Sequence, residues 1–187
     1  LSCVLQSDMR MNTDDNALAE RAAGGDRVAF QSLLERHYDT IFRVAYRFTG
    51  LRQDAEDLTQ DICASLPARL RSFRGDARFT SWLYRVVVNA AQDKRRKQVT
   101  ADRANAAYGE ISELERGQAD QTARDIAWLY ETLEQLGDDL RQTAILVVAE
   151  GLSHAEAAIV LDIKESTVSW RMHEVRKKLK AQVEQEA

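Results

Sequence analysis

The 187-residue sequence predicts an all-α chain: two small helical domains joined by a flexible linker, the second domain carrying a helix-turn-helix. Three observations carry that expectation. One proline and eight glycines are too few for a loop-rich or all-β fold. Apolar residues recur at helical spacing in two separate blocks. Between the blocks, residues 98–125 are dominated by Ala, Glu, Asp and Gln and hold few large apolar side chains, too few to demand a core of their own.

The elements follow in order. Residues 1–19 are expected to be a flexible tail, with Met9 or Met11 as an alternative start; Arg10 follows the short apolar run, the wrong order for a signal peptide. A helical domain is expected over 20–97. Its first long helix spans 26–49, with Leu33, Leu34, Ile41, Val44, Ala45 and Phe48 at helical spacing and Gly50 as a stop. A second helix runs from about Asp54 toward Leu66, where Pro67 disfavours continuation. A turn at 73–76 leads to a third helix ending near Arg96.

That third helix is two-faced. At 100° per residue, Leu83, Val86, Val87 and Ala90 fall on one side, while Arg85, Asn89, Gln92 and Arg96 fall on the other. Arginine attracts phosphate, amides recognise base edges, and a nearby aromatic such as Trp82 stacks on an exposed base or packs inward.

After the linker, 126–187 forms the second domain. Ile126, Trp128, Leu129, Leu133 and Leu136 open it, and a helix is expected from about Leu140 through Ala149. Ser153 and Glu156 have capping-box spacing, so a short helix starts there. Asp162 occupies the following turn, where glycine fits most easily but aspartate tolerates a left-handed backbone. In the last helix Val168, Met172, Val175 and Leu179 span about a 60° sector. Ser169, Trp170, His173, Arg176 and Lys177 lie outside it, the organisation of a major-groove reader. A compact bundle with a solvated charged surface would share the pattern.

The formal net charge of -4 excludes indiscriminate nucleic-acid binding, but charge is segregated. Residues 69–97 hold nine basic and two acidic side chains, and 164–180 hold six and two, whereas 51–61 hold one arginine and four carboxylates. Cys3 and Cys63 form no disulfide framework or metal cluster, which favours the cytoplasm, and no apolar run is long enough to span a membrane. No paired-His metal motif, glycine-rich phosphate loop or nucleophile elbow is present, so neither an enzyme nor a cofactor is expected. His37, His154 and His173 are assigned to core edges or surfaces.

In DAEDLTQDI at 54–62, FRGDARFTSWLYRVVVNAAQDKRR at 73–96 and GLSHAEAAIVLDIKESTVSWRMHEVRKKL at 151–179, taken in that order, the chain closely resembles bacterial RNA polymerase sigma factors of the extracytoplasmic-function group. The resemblance implies that Asp54, Asp57, Leu58, Gln60 and Asp61 dock core polymerase through the largest subunit's coiled coil. It implies that Arg74, Arg78, Trp82, Arg85, Asn89, Gln92, Arg95 and Arg96 read and melt the promoter -10 element, Lys94 and Lys97 adding phosphate attraction. Asn89, Asp93 and Arg96 keep the spacing of the family pattern, with Asp93 as an organising residue. Lys164, Ser166, Thr167, Ser169, Trp170, Arg171, His173, Arg176 and Lys177 would read the -35 element, and the same domain would bind the polymerase flap. The resemblance further implies control by an anti-sigma factor. Asp162 and Trp170 depart from the family's usual glycine and small or basic residue. The competing account is a two-domain helix-turn-helix regulator that acts without core polymerase; it leaves the acidic 54–61 surface and the aromatic-basic 73–97 segment without a linked purpose.

Overall fold

A computed structural model describes residues 15–106, 132, 133 and 135–186. The described residues form helices joined by turns and short loops, and the chain divides into two compact units, 1–92 and 93–187. The expected tail over 1–14, most of the expected linker, Ile126, Trp128 and Leu129 lie outside the described residues.

In the first unit, α1 covers 15–23, α2 Arg27–Thr49, α3 Arg52–Leu70 and α4 begins at Phe79, running to Ala106. The domain therefore starts earlier than its composition suggests. Leu18 and Ala19 are buried, and so is the carboxylate of Asp15. Arg36 Nη1 donates to Asp15 Oδ1 at 2.8 Å, and His37 Nε2 lies 2.9 Å from Oδ2. This clasp ties α1 to α2, and residues 15–19 belong to the folded unit rather than to a tail.

Asp26 caps α2: its carboxylate accepts from the Val28 and Ala29 backbone N–H groups. The Ala29 bond, then the Arg21 bond, holds this carboxyl below the usual carboxylate range. Gly50 ends the helix in the left-handed region at φ 74°, its N–H donating to the Tyr46 carbonyl at 2.8 Å.

Helix α3 does not stop at Pro67. A mid-helix proline costs roughly 3 kcal/mol, whereas Leu66 and Leu70 are fully buried on either side of it, and each such side chain stabilises by about 1.5–3 kcal/mol. Burial wins, and the helix reaches Leu70 before breaking. Helix α4 likewise passes its expected end at Arg96, because 97–106 holds no glycine or proline and contains good helix formers. The first nine residues assigned to the linker are thus helical. Phe79, Leu83, Val86, Val87, Val88 and Ala91 form the buried side of α4.

In the second unit α5 spans Asp138–Ala144 and widens into a π turn over Ile145–Ala149, where the Glu150 N–H reaches the Ile145 carbonyl at 2.9 Å. Helix α6 covers His154–Leu161 and α7 covers Glu165–Glu186. Ser153 and Glu156 make the reciprocal capping box, with the Glu156 N–H on Ser153 Oγ at 3.2 Å and the Ser153 N–H on Glu156 Oε2 at 2.9 Å. Asp162 has φ 57° and ψ 45°, the left-handed turn its position required, and its N–H returns to the Ala158 carbonyl. Val168, Met172 and Val175 are buried, and Val175 joins Leu136, Leu140 and Ala144 in a core flanked by Leu133 and Leu179.

Replacing Asp15 by Ala leaves Arg36 and His37 without their shared acceptor. A loss of about 1.5–3 kcal/mol from the first unit is expected, measured by urea unfolding with Trp82 fluorescence as the probe in a Trp128→Phe, Trp170→Phe background.

Candidate nucleic-acid interface

The acidic candidates lie along α3. Asp57, Gln60 and Asp61 are exposed and Asp54 is half-buried, so one side of the helix presents carboxylates to solvent. Leu58 is 3% exposed. It supports that surface from the core and offers it no contact area. Cys63 sits half-buried on the same helix, and burial pushes its thiol above the usual range.

The candidates at 73–97 separate by depth. Arg74 and Arg78 are exposed in the loop before α4, Asn89 and Arg96 are exposed on the helix, and Arg85 and Gln92 are half-buried. Arg96 Nη2 donates to Asp93 Oδ1 at 2.8 Å, an exposed pair separated by one turn. Such a pair is worth about 0–1 kcal/mol, so a phosphate can replace it. The pair sets where the Arg96 side chain rests without locking it there. Arg95, in the second unit, pairs with Asp138 of that unit at 3.0 Å.

Trp82 belongs to an aromatic cluster. Its ring centroid lies 5.5 Å from that of Phe73 and 5.7 Å from that of Phe79, and Phe73 meets Phe79 edge-on at 5.9 Å. Phe79 is fully buried, while Phe73 and Trp82 are half-buried. The choice between packing and presentation is thus resolved by degree: one part of the indole is held in the cluster and the rest stays accessible.

In the second unit Lys164, Ser166, Ser169, Trp170, His173, Arg176 and Lys177 are exposed, and Thr167 is half-buried. Trp170 is 60% exposed, an unusual state for an indole within a folded helix. Ser169 Oγ lies 2.9 Å from His154 Nδ1, linking α7 to the start of α6. Arg171 stands apart from the group. Its side chain is only 12% exposed and Nη2 donates to Asp139 Oδ2 at 2.7 Å. At 100° per residue it lies about 70° from the centre of the buried Val168, Met172 and Val175 stripe, close enough to be drawn inward. Arg171 braces α7 on α5, and a DNA contact from it requires release of Asp139.

Two further residues carry the site and give no local signal in the sequence. Asn16 Oδ1 accepts the Phe79 backbone N–H at 2.7 Å, and its Nδ2 donates to the Ala77 carbonyl at 3.4 Å. His37 lies at a core edge, as its scattered position suggested, with its ring centroid 5.2 Å from that of Phe79. Only the apolar spacing of Leu18, Ala19 and Ala22 hints that α1 is part of this assembly.

Comparison with known proteins places this arrangement in a family. Residues 33–100 match the profile Sigma-70 region 2, and 126–179 match Sigma-70, region 4. The RNA polymerase sigma-H factor of Pseudomonas aeruginosa is 31% identical over 179 residues, covering 90% of this chain and 93% of that protein. The ECF RNA polymerase sigma-E factor of Escherichia coli K12 is 30% identical over 183 residues, covering 91% and 94%. The chain is an extracytoplasmic-function sigma factor of the sigma-70 family. A solved structure of CnrH in complex with the cytosolic domain of CnrY matches this sigma factor at TM-score 0.70 and 26% identity, over 93% of this chain and 99% of that one. The sigma factor RpoE, co-crystallised with the anti-sigma factor NepR from Bartonella quintana, shares the fold at TM-score 0.65 and 22% identity, over 83% and 96%. Among the described residues no helix is long and apolar enough to cross a membrane.

In a Cys3→Ser variant, the raised thiol pKa at Cys63 predicts slow alkylation by iodoacetamide at pH 7.5 in the folded sigma factor and a rate at least several-fold higher in urea, followed by mass spectrometry.

Proposed function

We propose that the first unit of this sigma factor docks core polymerase through α3 and captures the -10 element through α4 and its preceding loop, while α7 reads the -35 element. The observation that carries this division is the segregation of charge. The carboxylates of α3 at 54–61 are exposed at Asp57 and Asp61 and half-buried at Asp54 and Glu56, whereas amide and basic side chains line the outer side of α4. An acidic surface suits a basic protein partner and repels DNA, so the two faces serve different partners.

Asp54, Asp57, Gln60 and Asp61 make the polar contacts to the coiled coil of the polymerase largest subunit, with Leu58 behind them. Arg85, Asn89, Gln92 and Arg96 read the -10 element, Arg95 joining once it leaves Asp138. Arg74 and Arg78 hold the backbone beside an extruded base, which the accessible part of Trp82 stacks upon. Stacking on an aromatic is worth roughly 1–3 kcal/mol per base, enough to offset a meaningful share of the cost of opening. In the second unit Lys164, Ser166, Thr167, Ser169, Trp170 and His173 face the -35 bases, and Arg176 and Lys177 neutralise phosphates. The remainder of that unit meets the polymerase flap. RNA synthesis belongs to the polymerase; this chain supplies specificity and melting in the cytoplasm. Control by an anti-sigma factor is supported by the co-crystal structure of RpoE with NepR and by the overall similarity to CnrH.

Reconstitution with purified core polymerase tests the division. Asp57→Ala should weaken core binding about tenfold while the free chain stays folded, and Asn89→Ala should keep core affinity and lose promoter opening. If the chain neither binds core nor starts transcription from any promoter in an unbiased library, the assignment is abandoned in favour of a polymerase-independent regulator.

Each phosphate contact also has a salt signature. Lys177→Ala should reduce the slope of log K against log salt for duplex -35 DNA by about one, with a similar loss on every sequence tested.

A further inference from the structure

The loop between α3 and α4 carries Arg74 and Arg78 and ends at the buried Phe79. Its entry is held locally: the Ser72 and Phe73 N–H groups donate to the Arg69 and Leu70 carbonyls at 2.9 Å each. Its exit is held from a distance. Phe79 opens α4, and its N–H is among the orphan donors that a capping side chain normally satisfies. The residue before it is Arg78, whose side chain is donor-only and whose carbonyl already accepts from the Trp82 N–H at 3.1 Å. Asn16 of α1 supplies the acceptor at 2.7 Å and returns a bond to Ala77 two residues earlier.

The same face of α1 reaches the middle of the loop. Glu20 lies one turn beyond Asn16, and its Oε1 would sit 3.3 Å from a Cβ added at Gly75, which holds φ +74°. Helix α1 is in turn locked by the buried Asp15 on Arg36 and His37, and the His37 ring lies against Phe79. Residues 15–23 lie upstream of the segment that matches Sigma-70 region 2, yet they bracket its loop at two points.

We propose that Asn16 is a positioning residue for promoter opening: from α1 it caps α4 and fixes the 73–78 loop, so that Phe73 and Trp82 present a preformed edge to an unpaired base. Preorganisation of this kind lowers the ordering cost at the moment of capture. This rests on the assignment of α4 and its loop to -10 melting.

The test uses holoenzyme reconstituted from the full chain, on a promoter that the wild type selects from a random library. Core affinity, opening followed by 2-aminopurine in the -10 non-template strand, and transcription from duplex or pre-melted template are measured. Asn16→Ala should keep core affinity within about twofold, open duplex promoter about tenfold less well, and recover on the pre-melted template. Asn16→Asp keeps the acceptor for Phe79 and should restore opening to within about threefold of wild type. Normal opening by Asn16→Ala overturns the proposal, as does a loss that the pre-melted template does not relieve or that Asn16→Asp fails to rescue. If Asn16→Ala loses core affinity through misfolding, the folded Asn16→Asp and Glu20→Ala variants decide: near-normal opening with the first and reduced opening with the second support the proposal, and any other combination overturns it. Asn89→Ala runs in parallel. Loss of opening there without loss in Asn16→Ala removes this inference alone, whereas normal opening with Asn89→Ala removes the -10 assignment itself.

Discussion

A carboxylate with 8% of its side chain exposed needs partners, and Asp15 finds two on consecutive residues of α2. Arg36 and His37 each reach one oxygen of that carboxylate, and the imidazole ring also lies 5.2 Å, centroid to centroid, from that of Phe79. One ionic contact thereby organises α1, α2 and the start of α4. The apolar packing of Leu33, Ile41, Leu66 and Leu83 gives this unit its bulk. The 73–78 loop is anchored to it by the backbone bonds at Ser72 and Phe73, by the Phe73 ring on Phe79 and Trp82, and by the Asn16 bonds to Ala77 and Phe79.

The candidate surfaces of the two units, each taken by itself, differ in how firmly their side chains are committed. Asn89 stands exposed, Arg96 is held by one weak surface pair, and Arg171 is drawn under Asp139 with little of its side chain left in water. Their positions along the sequence do not tell these three apart. Exposure separates a side chain open to solvent from one that is held in a surface pair, and from one that holds α7 on α5.

Local chemistry was legible in the sequence wherever the cause is local. The Ser153–Glu156 cap, the stop at Gly50, the left-handed turn at Asp162 and the buried sector of α7 each follow from spacing and side-chain type, and the family resemblance followed from three such segments in order. Pro67 misled because local propensity says stop, while burial of Leu66 and Leu70, a tertiary effect, says continue. Residues 15–19 read as tail because Asp-Asn-Ala-Leu-Ala is too short a stretch to establish a helical period on its own. Their partners lie 21 to 63 positions away, and no window along the chain contains both sides of the contact.

Those separations bear on how the first unit comes to be folded. Helices α2 and α3 meet through short connections and can associate early, but the bond from Asn16 to Phe79 closes 63 residues of chain. Loop closure grows costly only slowly with length, so the price is a delay more than a lasting loss of stability. During synthesis α1 leaves the ribosome long before Phe79 exists, and it must wait for the segment it will hold. The 73–78 loop is therefore expected to be among the last parts of this unit to take its final shape, after α2 and α3 have paired.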